Sequence, residues 1–138
     1  MIDAVSERTV AVLNGVEPQL FVADVTRSCD FYTDKLGFAT AFVYGKPPFY
    51  GQVFRDGVRL NLRLVGEPVF AGDIREREGL LSASITVASG GDIEELFASY
   101  QAAGVSFHQG LKTEPWGART FVVSDPDGNL ILFAGAGE

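Results

Sequence analysis

What most constrains the fold of this chain is a run of strand, helix and three strands that is written twice. In the first unit, residues 17–65, Glu17–Val22 reads as a strand, and Asp24 or Thr26 can cap the helix that follows. Val25, Cys29, Tyr32 and Leu36 recur at the spacing of one helical face, and Gly37 stands where a terminating glycine belongs. Phe38–Tyr44, Phe49–Arg55 and Val58–Leu64 read as strands, the last two joined by the turn pair Asp56-Gly57. The second unit, residues 80–138, opens with Leu80–Val87, where Leu81, Ala83, Ile85 and Val87 alternate with small polar residues. Asp92 is the expected cap of the next helix, which carries Ile93, Leu96, Phe97 and Tyr100 on one face and ends at Gly104. Val105–Phe107, Thr120–Ser124 and Leu130–Phe133 complete the unit, the last two joined by Asp125-Pro126-Asp127-Gly128. Residues 66–79 suit a linker. Residues 1–16 form an N-terminal extension in which Thr9–Leu13 fits either a short strand or a helix.

A four-stranded sheet with a helix on one face leaves its other face open. The expected fold class is therefore α+β: two βαβββ repeats forming an open, curved mixed sheet around a cavity shared by the two open faces.

A chain of 138 residues with 46% hydrophobic content is one domain able to bury its own core. No apolar run reaches the roughly 18–20 residues of a membrane helix. The N-terminus lacks a basic region followed by an apolar stretch, so a cytoplasmic protein without a membrane partner is expected. Lys and Arg number 11 against 18 Asp and Glu, a net charge of −7 with no basic patch, which argues against nucleic acid. That balance serves solubility and also attracts cationic ligands. The single cysteine, Cys29, excludes an internal disulfide and falls on the apolar helix face as a core residue.

Asp24-Val25 followed by Asp30-Phe31-Tyr32-Thr33-Asp34-Lys35-Leu36-Gly37-Phe38 resembles the opening of vicinal-oxygen-chelate domains, the superfamily of glyoxalases, bleomycin-resistance proteins and extradiol dioxygenases. Asp125-Pro126-Asp127-Gly128-Asn129 resembles their last hairpin. Glu114-Pro115-Trp116-Gly117 with Arg119 and Phe121 is similar to a stretch of bleomycin-resistance proteins, where the tryptophan helps form a groove across a dimer interface.

The resemblance implies four metal positions in the enzymes of this superfamily, which fall here on Glu17, Asn61, Ser82 and Leu132. Glu17 can ligate, Asn61 and Ser82 are poor donors, and Leu132 has none. A slip of register offers Gln19 or Glu17 at the first position, but Leu130-Ile131-Leu132-Phe133 holds no donor in any register. No metal and no cofactor are therefore expected. Asp125 and Asp127 read as turn formers that bond local backbone.

Recognition of a molecule then falls to aromatic faces and a few polar groups. The candidates are Phe38, Phe42, Tyr44, Phe49 and Tyr50 around the Gly45-Lys46-Pro47-Pro48 loop, and Trp116 between proline and glycine. Asn61, Arg63 and Ser82 sit in strands beside them, and His108 lies in an expected polar loop. The resemblance implies a homodimer that sequesters a small molecule of the cationic glycopeptide antibiotic class rather than an enzyme with catalytic residues. The alternative is a glyoxalase- or dioxygenase-like lyase or isomerase with an atypical site.

Overall fold

A computed structural model describes residues 11–136. The first unit comprises β1 (Gln19–Val22), α1 (Val25–Asp34), β2 (Ala39–Tyr44), β3 (Tyr50–Arg55) and β4 (Val58–Leu64). A short helix α2 (Ile74–Glu78) lies in the connection. The second unit comprises β5 (Leu81–Thr86), α3 (Gly90–Ala102), β6 (Ser106–Thr113), β7 (Arg119–Ser124) and β8 (Leu130–Gly135). Each unit is a four-stranded mixed sheet, in the orders β1-β4-β3-β2 and β5-β8-β7-β6, in which the first strand runs parallel to the last. The expected α+β repeat is present, as two sheets.

The helices settle which side of each sheet is core. Val25, Cys29, Tyr32 and Leu36 are all buried, against Leu20, Val22, Val53, Leu60 and Leu62. Asp24 caps α1, its side chain accepting from the Arg27 N–H at 3.0 Å. In the second unit Ile93 and Tyr100 bury against Phe121, Ile131 and Phe133. The cap of α3 is Ser89, whose hydroxyl accepts from the Asp92 N–H at 3.1 Å. Asp92 instead occupies the first turn, where its charge meets the positive end of the helix.

Three further expectations need correction. The first strand begins at Gln19 and not at Glu17, because Pro18 has no N–H for the ladder, although its carbonyl still accepts from Asn61 N at 3.0 Å. The strand expected over 105–107 extends as β6 to Thr113, with irregular register between Phe107 and Gln109. The linker is not uniformly irregular: α2 ends on Gly79 in the left-handed region, at φ 64°. The stretch Thr9–Leu13 lies partly outside the described residues, and Ala11–Leu13 form no regular element.

The two units meet through helices and hairpins. Tyr32 on α1 donates to Asp125 at the end of β7 at 2.9 Å, and Asp127 accepts from Ala23 N at 2.9 Å, Arg27 at 3.2 Å and Ser28 at 3.3 Å. Asp125 and Asp127 therefore do more than hold their own turn. On the other side of the joint, Tyr100 on α3 donates to the Leu36 carbonyl at 2.9 Å while Arg55 reaches both that carbonyl and the Tyr100 hydroxyl.

Candidate functional site

Strand register fixes what the open face of the first sheet presents. Gln19 pairs with Asn61, Asn61 with Gln52, and Gln52 with Phe42, so these four side chains point away from α1 together. The next row on the same face is Phe21, Arg63, Tyr50 and Tyr44, and Arg59 and Phe54 form a third. The result is an aromatic ladder beside an amide cluster. The Phe42 ring lies 5.0 Å from that of Tyr44, and 6.2 Å from that of Tyr50 in a stacked arrangement. Gln19 donates to the Tyr50 hydroxyl at 2.9 Å.

The amide cluster is mutually satisfied. Gln52 Nε2 donates to Asn61 Oδ1 at 2.8 Å and to Glu17 Oε1 at 3.1 Å, and Asn61 Nδ2 donates to the same Glu17 oxygen at 3.2 Å. Arg59 closes it by donating to Gln52 Oε1 at 3.0 Å, its guanidinium 5.3 Å from the Phe54 ring centre. Gln52 and Asn61 are buried, while Tyr44 and Arg63 are exposed, so the face runs from a fixed polar floor to a solvent-facing aromatic edge.

The second sheet's open face is plainer. Leu132 pairs with Ser84 and Val122, and Thr120 with Ala134, which puts small and aliphatic side chains there. Thr120 donates to Glu114 at 2.8 Å at its edge. Trp116 stands on the β6–β7 turn, 75% exposed.

Titration at the joint follows burial. Desolvation raises the Asp125 carboxyl above the usual aspartate value despite hydrogen bonds from Asn129, Tyr32 and the Asp127 N–H that pull it down. Burial likewise holds the Tyr32 hydroxyl well above its ordinary value, with Asp125 adding to the effect. Tyr100 is pushed up to about 12 by burial, partly offset by Arg55. Burial also raises the Cys29 thiol, consistent with a core residue.

Residues 11–133 match the family model described as the Glyoxalase/Bleomycin resistance protein/Dioxygenase superfamily. The chain belongs to that superfamily. A bleomycin resistance protein of Geobacillus stearothermophilus is 33% identical over 127 residues, 84% of this chain and 92% of the relative. One of Staphylococcus aureus matches at the same 33% identity and coverage. Among solved structures, a bleomycin-binding protein from bleomycin-producing Streptomyces verticillus, complexed with copper(II)-bleomycin, superposes with a TM-score of 0.65 at 25% identity. That match covers 94% of this chain and 100% of the other. TioX from Micromonospora sp. ML1 has a TM-score of 0.68 at 25% identity, covering 89% of this chain and 98% of that one.

Within this superfamily frame, the first sheet gathers Phe42, Tyr44, Tyr50, Asn61 and Arg63 on one face, with Glu17 bonded to Asn61. Other candidates lie elsewhere. Phe38 points to the helix side and is core, its ring 5.9 Å from that of Tyr32. Phe49 folds back on the hairpin loop, so close to Gly45 that a Cβ there would lie 2.3 Å from its ring. Ser82 donates to Asn129 at 3.1 Å at the joint between units. His108 lies within β6 rather than in a loop, exposed and close to Gly79. Within the chain this face stays open, as the expected open sheets imply: Tyr44 is 59% exposed.

Gln52, Arg59, Phe21 and Phe54 were not among the expected site residues. The period-2 pattern of β1, β3 and β4 puts each on the face of a predicted one, so face membership was available from sequence. Their bonding was not, because it depends on three strands meeting.

Proposed function

We propose that this protein binds a small organic molecule on the open face of its first sheet, by stacking and charge and without a divalent metal, and so sequesters it. The observation that carries this reading is the Phe42–Tyr44–Tyr50 ladder set against the Glu17–Gln52–Asn61–Arg59 cluster. Flat heteroaromatic rings stack on such a ladder, and the carboxylate of Glu17 complements a cationic group. The bleomycin resistance proteins at 33% identity favour an antibiotic of that kind as the ligand, and in this reading it is a cation captured in the cytoplasm.

The donor set argues against a metal of the superfamily type. Glu17 Oε1 already accepts from two amides, the Asn61 oxygen from a third donor contact, and Leu132 brings no donor atom. Hard cations need several oxygen ligands and zinc needs about three competent side chains, so one carboxylate does not suffice. In this reading the amide cluster takes over the space and fixes the floor by its own hydrogen bonds.

An open face of one sheet is half a groove. A homodimer supplies the other half, with Trp116 of one copy laid towards the face of the next; its 75% exposure on a hairpin tip suits that role. His108 and Ser82 are secondary contributors on the second unit. Titration with metal-free and copper-loaded bleomycin, followed by Trp116 fluorescence, tests the ligand. Saturable change at micromolar ligand is expected for both forms. No response at that concentration defeats the bleomycin assignment.

A further inference from the structure

The two sides of the joint between units are built alike but end differently. Each helix sends a buried tyrosine, Tyr32 or Tyr100, towards the joint, and each partner unit answers with its last hairpin. The tip of the β7–β8 hairpin is fastened to the start of α1: Asp127 meets Arg27, Ser28 and the Ala23 N–H, and its side chain is only 11% exposed. The corresponding tip, Asp56-Gly57, faces the start of α3. Three residues after the cap, α1 offers Arg27 but α3 offers Asp92, followed by Glu95. Asp56 thus shares a cavity rim with like charge where Asp127 meets opposite charge. Among the described residues no hydrogen bond joins the Asp56 carboxylate to α3.

Beside that tip lies a cavity of about 990 Å³. Its lining takes in Leu60, Ala83 and Ile85 from the buried faces of the sheets and reaches Arg59 of the amide cluster, but includes none of Phe42, Tyr44 and Tyr50. Val58, Leu60, Ile85, Val87 and Leu96 give it an apolar wall, with Ser84, Thr86 and Ser99 between them. Its rim carries the carboxylates of Asp56, Asp92 and Glu95. The two arginines that also line it are engaged. Arg55 holds the Leu36 carbonyl and the Tyr100 hydroxyl, and Arg59 holds Gln52 and covers Phe54. The space is of the size that encloses a small organic ligand.

We propose that this seam is a second binding site, which takes a small amphipathic cation: an apolar body against the wall and an ammonium or amidinium between the carboxylates. The apolar walls alone would accept any greasy molecule; the rim selects the sign of charge. A ligand there adds a second tie between the β3–β4 hairpin and α3 to the one that Arg55 makes with Tyr100.

The test uses the full chain, with 4-phenylbutylamine as cation and 4-phenylbutyrate as the anion of similar shape. Methyl NMR shifts of Val58, Val87 and Leu96 report the seam, and ring signals of Tyr44 and Tyr50 report the open face. The amine is expected to move the seam methyls, with the anion weaker by roughly tenfold or more. A D56N/E95Q double variant, changed only at exposed positions, is expected to lose that preference for the amine while bleomycin titration of the open face is unchanged. Equal response to both probes, or shifts confined to the open face, overturns the proposal. So do nuclear Overhauser contacts placing a second copy or the chain's own N-terminal residues in the seam. Because the two sites report separately, failure here leaves the reading of the ladder intact, and failure of the ladder leaves this one intact.

Discussion

The Asp125 carboxylate accepts from the Asp127 and Asn129 backbone N–H groups, from Asn129 Nδ2 and from Tyr32, all within 3.0 Å. These bonds favour the ionised form, yet desolvation at 5% exposure is the larger effect and raises its pKa. An acid whose folded pKa is raised contributes stability that is complete below its unfolded pKa and is lost as pH rises through the folded value. The wild-type unfolding free energy minus that of Asp125→Asn, from urea titrations, is therefore expected to fall as pH climbs through and above the ordinary aspartate value of 3.8. A difference that grows with pH instead would show that the hydrogen bonds outweigh burial.

At the candidate site, exposure decides the expected outcome. Tyr44 and Trp116 are 59% and 75% exposed, so replacing either with alanine is expected to change stability by no more than about 0.5 kcal/mol. Loss of a stacking face should weaken ligand binding by roughly tenfold, about 1.4 kcal/mol. Thermal melts and bleomycin titrations of both variants check the pair of effects. A Trp116→Ala protein that unfolds would show the side chain to be structural.

The helices and hairpins were the most legible elements. The apolar spacing in α1 named its buried face correctly, and β4 runs over Val58–Leu64, directly after the Asp56-Gly57 turn, as expected. Caps were harder, because Ser89 and Asp92 are both competent and only the backbone decides. Ser89 has extended dihedrals, φ −150° and ψ 167°, and its hydroxyl satisfies the Asp92 N–H. Ser89→Ala should therefore cost about 1 kcal/mol in unfolding free energy, a larger loss than Asp92→Ala. Equal losses would mean that the cap hydrogen bond contributes little. His108 was misplaced because a register irregularity in β6 breaks the period-2 rule that sequence reading relies on. The helix α2 was missed because its anchor is tertiary: Arg75 reaches Asn129 Oδ1 at 3.2 Å and the Asp127 carbonyl at 2.6 Å, and stacks 4.9 Å from Phe70.

At the scale of the whole molecule, two sheets are held by a joint that is hydrogen-bonded on both sides, with its heavier fastening at the last hairpin. The Asp125-Pro126-Asp127-Gly128-Asn129 run, legible as a turn, proves to be the fastening. Its partners Tyr32, Arg27 and Ser28 lie about a hundred residues earlier, at separations of 93, 100 and 99, too far for any local pattern to reveal. The ladder face is left to solvent within one chain. A second copy would cover it, and sedimentation equilibrium is expected to give a dimer; a monomer at micromolar concentration would leave Trp116 without its proposed place.

The central claim is that the ladder and its amide floor hold an organic molecule with no divalent ion to help. Isothermal titration calorimetry of chelator-stripped protein with metal-free bleomycin, in wild type and in Phe42→Ala/Tyr44→Ala, tests it most directly. The account predicts saturable heat in the stripped wild type and its loss in the folded double variant. No binding until a divalent metal is restored, or unchanged binding in the variant, would contradict it.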